Sequence, residues 1–370
     1  MTYTQPEAAA AAVSLKKQGL KVQPLQRNYS LDKIYPSFKV QPHIGTEFKE
    51  GIQIRDLLKA PNSDELLLDL AVLISERNVV FLRNQDVTFE EQKEFVDRLG
   101  KLTGKPATSG LHIHPTTDET SEFGFQSLEI DSEKGKKFGD VYRNAYGGGS
   151  EFQSTGWHSD ITFEPVPSDY AALRLRDTLW ASSYEIYERL SPAFQKFLEG
   201  KTASHRGDGF KLLEQAGITK LYVNPRGAPE NVGNSLSAVH PVIRTNPVTG
   251  WKSVFVNHTH GFTKRINELS KDESDLVLNH IFNLTAQNHD LQVRFKWGKH
   301  DVAVWDNRST FHSATTDYDA EIYRRNGERA TSLGERPYFD ANSSSRREAL
   351  GIAPPTARRA HLASLAEKSA

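Results

Sequence analysis

The first clear pattern along the chain is a helical segment followed by a short apolar strand. Residues 64–76 are rich in Leu, Ala and Glu, which favours a helix, and Asn78-Val-Val-Phe-Leu-Arg83 is a β-branched and aromatic run typical of a buried strand. Thr88-Phe-Glu-Glu91 then has the form of a capping box, in which Thr88 caps a helix and Glu91 reaches back. This second helix is predicted to end near Leu99.

Further along the chain, short strands outnumber helices. Residues 101–156 are rich in Gly, Pro, Ser and Thr, and loops of that length in compact domains are usually functional or mobile. The predicted strands beyond them are Tyr170–Leu175, Ala238–Arg244, Ser253–Asn257, Gln292–Lys296 and Asp301–Trp305. The predicted helices are Ser183–Leu190, Ala193–Glu199 and Lys271–Ala286. This pattern predicts a mostly β fold with flanking helices, built on a jelly-roll-like barrel.

The chain shows no internal repeat and no clear linker, so we predict a single domain over residues 41–340. Residues 1–40 are interpreted as a loosely ordered lead-in, and residues 341–370 as a peripheral tail.

Composition excludes several classes of protein. Lys and Arg total 46 against 47 Asp and Glu, so the basic excess of a nucleic-acid binder is missing. The densest apolar stretch, Leu66–Ile74, is far shorter than the ~20 residues of a membrane span. The first residues lack the features of a secretory or transit peptide, so we expect a cytoplasmic protein. The composition is compatible with a homo-oligomer.

The chain contains no cysteine, which excludes disulfides, thiolate zinc sites and cysteine nucleophiles. Any metal is therefore held by His, Asp or Glu. Three pairs of such residues are separated by one position: His112/His114, His158/Asp160 and His258/His260. Residues i and i+2 of a strand share one face, so both members of each pair could bind one metal ion together. The spacing alone does not choose among the three pairs.

Context favours His158/Asp160 as the metal-binding pair. In Gly156-Trp-His-Ser-Asp-Ile-Thr-Phe163, polar residues alternate with apolar ones where the long loop ends, at a position suited to the mouth of a barrel. The best candidate for a third ligand is His312, which follows a predicted strand. Two histidines and one carboxylate on iron(II) leave positions open for a bidentate cosubstrate and oxygen. A zinc hydrolase could use the same ligands but would need a general base nearby.

Several further motifs appear in order between residues 75 and 340. They are Trp157-His-Ser-Asp-Ile-Thr-Phe163, Asp177-Thr-Leu-Trp180, His240-Pro-Val-Ile-Arg-Thr-Asn-Pro-Val-Thr-Gly-Trp251, Phe255-Val-Asn257, Trp305-Asp-Asn-Arg-Ser-Thr-Phe-His312, and Arg325 with Arg329-Ala-Thr-Ser-Leu-Gly-Glu-Arg-Pro337. Together they resemble the taurine dioxygenase family of 2-oxoglutarate-dependent enzymes, which includes fungal sulfonate dioxygenases.

The resemblance implies a double-stranded β-helix core, with residues 41–340 as the catalytic domain. It also implies an iron(II) site at His158, Asp160 and His312, with 2-oxoglutarate and O2 as cosubstrates. Arg325, thirteen residues after His312 (325 − 312), is implied to bind the distal carboxylate of 2-oxoglutarate. A guanidinium matches a carboxylate through two parallel hydrogen bonds.

The same resemblance assigns further contacts within the site. Thr178 would donate its hydroxyl to the 2-oxoglutarate carboxylate, and Arg324 is the rival of Arg325 for that anion. Arg329 would bind the anionic group of a small substrate, a sulfonate in the family, and Phe262 would form an apolar wall. His114, or its neighbour His112, would add a further contact to the anion, and His258/His260 would not bind metal.

Two departures from the family pattern bear on the substrate more than on the chemistry. The Gly-Gly turn that usually precedes Asp-Thr-Leu-Trp is missing, and residues 170–176 run directly into Asp177, which bears on the placement of Thr178. Ser154 stands where taurine-binding members offer an amide.

The leading hypothesis from the sequence is hydroxylation of a small organosulfonate, which releases sulfite and an aldehyde. The same chemistry on an alkyl sulfate, an aryloxyalkanoate or a purine such as xanthine is the main alternative. A catalytically silent relative is the third hypothesis, because of the shortened turn.

Overall fold

The computed structural model describes residues 24–49, 51–117, 126, 128–131, 156–174, 178–256, 262–315 and 326–353. The helices in these ranges are α1 (Ile54–Lys59), α2 (Ser63–Arg77), α3 (Phe89–Leu102), α4 (Ser183–Arg189), α5 (Pro192–Leu198), α6 (Asp208–Gln215), α7 (Lys271–Gln287) and α8 (Arg346–Leu350). The strands are β1 (Ser37–Lys39), β2 (Thr46–Phe48), β3 (Val79–Leu82), β4 (Leu128–Asp131), β5 (Ser168–Arg174), β6 (Thr178–Ser182), β7 (Thr202–Arg206), β8 (Ser237–Pro241), β9 (Ile243–Thr245), β10 (Lys252–Val254), β11 (Thr263–Ile266), β12 (Gln292–Arg294), β13 (Val302–Asp306), β14 (Thr310–Ala314) and β15 (Asn326–Leu333).

Two sheets form the centre of the fold. The larger sheet has seven strands in the order β1-β2-β3-β13-β5-β15-β4, and the smaller has three in the order β12-β6-β14. Neighbouring strands are antiparallel except for β2 and β3. The remaining strands form two small sheets, β9 with β10 and β11-β7-β8. The architecture is thus mostly β with flanking helices, as the sequence pattern predicts.

The two central sheets pack face to face through aromatic side chains. Trp180 on β6 lies edge-on to Phe81 of β3 and to Trp305 of β13, with ring centroids 5.3 and 6.0 Å apart. All three rings are fully buried. Because this geometry matches the ring quadrupoles and removes large apolar surfaces from water, it holds the sheets at a fixed separation.

Helices cover the outer faces of both sheets. Along β3, Val79 and Phe81 face the space between the sheets, whereas Val80 and Leu82 join a second core with α2 and α3. Burial on both faces explains why β3 is a continuous apolar run rather than an alternating one. The outer face of the smaller sheet packs in the same way against α4 and α7. No helix among the described residues is long and apolar enough to span a membrane.

Most of the predicted elements are present, with shifted ends. The two helices after residue 60 and the capping box at Thr88 and Glu91 are found as expected. The predicted strand over residues 238–244 is two strands, β8 and β9, separated by Val242. Strands β6, β14 and β15 are absent from the predicted elements because their sequences lack a distinct alternating pattern.

The described parts of both terminal segments pack on the domain. Arg27 pairs with the buried Asp69 of α2, with Nη2 and Oδ2 2.9 Å apart, and Leu31 is fully buried. In the C-terminal segment, Arg346 and Arg347 each place a guanidinium nitrogen 2.9 Å from the buried carboxylate of Glu185. Apart from Leu31 these anchors are ion pairs, which leave no apolar periodicity in the sequence.

The turn between β13 and β14 is polar and yet buried. The Asp306 carboxylate accepts hydrogen bonds from the Arg308 side chain at 2.8 and 2.9 Å, from Ser75 at 2.6 Å and from Asn246 at 3.0 Å. Asp306 is fully buried and Arg308 is 1% exposed. Such an ion pair stabilises only when its remaining hydrogen-bonding capacity is satisfied, as it is here.

We predict that Asp306→Ala lowers the free energy of unfolding by roughly 3–5 kcal/mol, because it leaves the Arg308 charge buried without its main partner. Urea unfolding followed by circular dichroism measures the change. The matched control is Asp275→Ala, which removes an exposed, solvent-screened pair with Lys271 on α7 and should leave the unfolding midpoint close to that of the wild type. Equal stabilities for the two variants would contradict the prediction.

Candidate metal centre and cavity

Three consecutive residues, 158–160, lie along the turn and strand formed by residues 307–312. His158 and His312 exchange two backbone hydrogen bonds of 2.8 and 2.7 Å. The Ser159 hydroxyl donates to the carbonyl of Asn307 at 2.7 Å, and the Asp160 N–H donates to the Asn307 side-chain oxygen at 3.2 Å. Residues far apart in sequence therefore become fixed neighbours.

This pairing brings His158, Asp160 and His312 together. The Asp160 Oδ1 atom lies 3.9 Å from Nε2 of His158 and 3.7 Å from Nε2 of His312. One potential ligand atom from each residue lies within 4.8 Å of the others, and within the described ranges this is the one group of three or more His, Asp or Glu so arranged. The three residues singled out in the sequence thus converge on one point.

Local contacts turn Nε2 of both histidines toward Asp160 and keep His158 neutral. Nδ1 of His158 lies 2.8 Å from the Gly156 carbonyl, which can only accept, so Nδ1 carries the proton and Nε2 presents its lone pair toward Asp160. Burial lowers the pKa of His158, which keeps the ring neutral. His312 is also buried and directs Nε2 toward the same carboxylate.

Asp160 is ionised although it is buried. Burial opposes its ionisation, but the adjacent positive charge of Arg329 favours the carboxylate, and the pKa of Asp160 is lowered to about 2. Nη1 of Arg329 lies 2.7 Å from Oδ1 of Asp160. Arg329 is on β15 opposite Leu173 of β5, so its side chain enters the space between the two sheets.

A cavity of about 230 Å³ opens beside these groups. It is lined by His114, His158, Asp160, Ile161, Phe163, Gly209, Phe210, Phe262 and Arg329. The ring of Phe163 lies 5.1 Å from that of Phe210 and 5.5 Å from that of Phe262, so these three rings form one aromatic wall. The cavity therefore has a polar side at the convergent ligands and an apolar side opposite.

Residues 36–331 match the family described as "Taurine catabolism dioxygenase TauD, TfdA family". The chain belongs to this family. It is 46% identical to the alpha-ketoglutarate-dependent dioxygenase btcD of Neocamarosporium betae, over 88% of this chain and 98% of that protein. It is 32% identical to an alpha-ketoglutarate-dependent sulfonate dioxygenase of Saccharomyces cerevisiae, over 82% of this chain and 68% of that protein.

The fold is shared with solved structures. A taurine dioxygenase from Burkholderia xenovorans is 24% identical and superimposes with a TM-score of 0.59, covering 82% of this chain and 91% of that one. At that identity the likeness shows the fold alone.

As a TauD/TfdA family member, the protein is an iron(II)- and 2-oxoglutarate-dependent dioxygenase that uses O2. The convergent residues fit the metal, since two neutral imidazoles and one ionised carboxylate are the ligand set of non-haem iron oxygenases. The Oδ2 atom of Asp160 is buried and accepts no hydrogen bond from the described residues.

Thr178 lies near the same space despite the shortened turn before it. It pairs with Ala314 across β6 and β14, two positions from the pair formed by Trp180 and His312. Directly opposed residues and their i+2 neighbours share a face, so Thr178 lies on the face of β6 that carries Trp180 and, across the strand pair, His312. Its hydroxyl is buried and has no hydrogen-bond partner among the described residues.

The structure places the two candidate histidines of the long loop differently. His114 lines the cavity, whereas His112 is buried outside it, with the two ring centroids 6.0 Å apart. Other residues singled out in the sequence lie outside the described ranges. They are Arg324, Arg325, His258, His260, Ser154 and the turn residues 175–177.

The cavity also contains residues to which sequence reasoning assigned no role. Ile161 has φ +63°, a left-handed conformation that is strained for a β-branched residue, and it directs the chain after Asp160 into the cavity wall. Phe210, on α6, has no sequence signal that distinguishes it from a core residue. Asn307 lies behind the cavity rather than in its lining; it belongs to the Trp-Asp-Asn-Arg motif, but its contact with Asp160 becomes visible only in the fold.

The wall behind Phe163 is fixed by a buried ion pair. Nη2 of Arg226 lies 3.0 Å from Oε2 of Glu164, and Nη1 donates to the carbonyls of Tyr222 and Gly233 at 2.8 Å. One guanidinium therefore fastens the segment that follows Asp160 to the loop at residues 222–233.

A larger cavity of about 400 Å³ lies elsewhere, near Arg55, Asp86, Arg174 and His300. Its walls are mostly charged and amide side chains, and the described residues place no convergent metal-ligating group there. The smaller cavity, which has an apolar wall and a few convergent polar groups, has the chemistry of an active site.

His114 is predicted to stay neutral, with its proton on Nε2, from pH 5 to pH 8. Burial and the nearby Arg329 lower its pKa to about 3, and the N–H of Thr116 donates to Nδ1 at 3.2 Å. Nδ1 therefore holds a lone pair. ¹⁵N NMR of histidine-labelled protein, with His114→Gln to assign the signal, measures the tautomer. A titration midpoint near pH 6.5 would contradict it.

Proposed function

We propose that the protein hydroxylates a small organic anion, with a taurine-like organosulfonate as the leading candidate. Hydroxylation of the carbon that bears the sulfonate gives an unstable product, which separates into an aldehyde and sulfite. One atom of O2 enters the substrate and the other enters succinate, formed with CO2 from 2-oxoglutarate. The observation that carries the proposal is the convergence of His158, Asp160 and His312 on one point, with Arg329 beside Asp160 in the adjoining cavity.

In this proposal His158, Asp160 and His312 hold the iron. Iron(II) with 2-oxoglutarate and O2 supplies the oxidising power for cleavage of a C–H bond. The protein contributes an open coordination face, because only three ligands come from the chain, and a rigid frame of paired strands around it.

Arg329 binds the anionic group of the substrate. Its guanidinium has five donors, one of which contacts Asp160, and the side chain lines the cavity beside the triad. His114 adds a neutral donor through its Nε2–H. Arg329 is the one Arg or Lys among the described lining residues, so it sets the position of the anion relative to the metal.

Phe163, Phe210 and Phe262 hold the body of the substrate and keep water from the reacting carbon. The same arrangement suits a second candidate, an anion such as an alkyl sulfate, an aryloxyalkanoate or a purine. The aromatic wall favours these bodies, and the chemistry would be unchanged.

The cosubstrate contacts complete the proposal. The buried Thr178 hydroxyl, without a partner among the described residues, donates to the distal carboxylate of 2-oxoglutarate. Arg325 pairs with that carboxylate, or Arg324 does so in its place. We also propose that the two facing sheets form a double-stranded β-helix, within one catalytic domain over residues 41–340.

Replacing a proposed iron ligand should abolish metal binding without unfolding the chain. Under anaerobic conditions, wild-type protein with iron(II) and 2-oxoglutarate should develop a visible charge-transfer band. Asp160→Ala and His312→Ala should not, because two ligands cannot hold the metal at micromolar concentration. His289→Ala changes an exposed histidine and should behave as the wild type. A band of full intensity in either ligand variant would refute the assignment.

Arg329→Lys is predicted to lower substrate turnover while 2-oxoglutarate is still consumed. Lysine keeps the charge but loses the planar fork, so the anion binds in a wrong position, and Arg329→Ala should cost roughly 2–5 kcal/mol of substrate binding. Arg206→Lys, on an exposed arginine of β7, is the control. Sulfite release from taurine and other alkyl sulfonates, against carboxylate, alkyl sulfate and purine analogues, identifies the anion. If one of these analogues is turned over while no sulfonate releases sulfite, the sulfonate assignment is overturned.

A further inference from the structure

We propose that Asn307 is a positioning residue of the metal centre, whose side-chain amide fixes Asp160 so that its carboxylate faces His158 and His312. The inference rests on the proposed iron ligands and assigns a role to a residue that itself contacts neither metal nor substrate.

The amide of Asn307 has only one chemically consistent orientation. Its oxygen lies 3.2 Å from the backbone nitrogen of Asp160 and 2.9 Å from Nε1 of Trp305, and both of these groups can only donate. Its nitrogen then donates to the hydroxyl of Ser168 at 2.9 Å. Both polar atoms of this side chain therefore have hydrogen-bond partners, three in all, which fixes the orientation of the amide.

Asn307 is also anchored through its backbone. Its N–H donates to the carbonyl of Asp169 at 2.7 Å, and its own carbonyl accepts from the Ser159 hydroxyl at 2.7 Å. Ser168 and Asp169 begin β5 of the larger sheet. Asn307 therefore connects the larger sheet to Ser159 and Asp160 by hydrogen bonds. The position of Asp160 is in this way fixed relative to that sheet.

The chain needs such an anchor at this point because the next residue is strained. Ile161 adopts φ +63°, a left-handed conformation that β-branched residues rarely occupy because of steric strain. Without the bond to Asn307, relaxation of Ile161 toward an ordinary conformation would rotate the adjoining peptide and carry Asp160 away from the histidines.

Asn231 offers a matched control for the amide. It is fully buried, as Asn307 is at 1% exposure, and its side chain also bonds the backbone of the same segment, accepting from Val166 N–H at 2.9 Å and donating to Val166 O at 2.7 Å. Val166 lies six residues beyond Asp160 (166 − 160), outside the cavity lining. Loss of Asn231 therefore reproduces a structural defect without the proposed effect on the metal ligand.

The experiment is a titration of metal-free protein with Co(II), followed by the visible absorption of the bound ion. We expect Asn307→Ala to weaken Co(II) binding by about 10–100-fold and to alter the spectrum, as loss of a contact behind a metal ligand typically does. Asn231→Ala should stay within about threefold of the wild type. If the wild type binds no Co(II), the proposed metal site itself fails. If the wild type binds and Asn307→Ala binds equally well, the positioning role fails.

Two further variants keep the test informative if Asn307→Ala folds poorly. Asn307→Asp retains an oxygen that accepts from Asp160 and should preserve Co(II) binding to within a few-fold. Adding Ile161→Gly to Asn307→Ala removes the backbone strain, since glycine adopts positive φ freely, and should recover part of the lost affinity. Loss of binding in Asn307→Asp equal to that in Asn307→Ala, with no recovery from Ile161→Gly, would overturn the proposal.

Discussion

The buried polar turn at residues 306–309 is the constraint on which the rest of the site depends. It joins β13 of the larger sheet to β14 of the smaller one, so it carries backbone polar groups into the interior, where each must find a partner. The Asp306 carboxylate accepts a hydrogen bond from the backbone N–H of Arg308 at 2.9 Å, and the side-chain amide of Asn78 donates to the backbone carbonyl of Ser309 at 2.7 Å. Because the segment at residues 158–160 supplies further partners, satisfying the turn also assembles the metal ligands.

This arrangement explains how residues separated by more than 150 positions form one centre. His312 is the third residue of β14 and therefore lies at a fixed distance from the turn. His158 is added to that strand as a backbone partner, and Asp160 is placed by Asn307. If the pairing of His158 with β14 shifted by one residue, the His158 side chain would turn to the outer face of the smaller sheet, where Phe311 packs with the helices.

How much of this could be predicted from the sequence depended on the kind of signal each feature left. The helices α2, α3 and α7 and the strand β3 follow from apolar patterns and caps, and the triad followed from the His-x-Asp pair together with the motif that ends at His312. Strand β15 has no such signal, because Asn326–Leu333 is polar and small for much of its length, and its place in the sheet is set by its neighbours β5 and β4. Phe210 and Ile161 were missed because cavity-lining and core residues have the same composition. The role of Arg325 remains a prediction.

The two sides of the cavity have different structural origins, and this separates the chemistry from the choice of substrate. The polar side comes from β14, β15 and the segment paired to β14, all fixed by ladder hydrogen bonds and buried ion pairs. On the aromatic side, Phe210 lies on α6 and Phe262 just before β11, both outside the two central sheets. Residues on such peripheral elements can change without disturbing the ladder that holds the triad. Membership of the TauD/TfdA family therefore determines the oxidative chemistry of this protein, whereas the aromatic side of its cavity is built in part from side chains that the shared fold leaves free to vary.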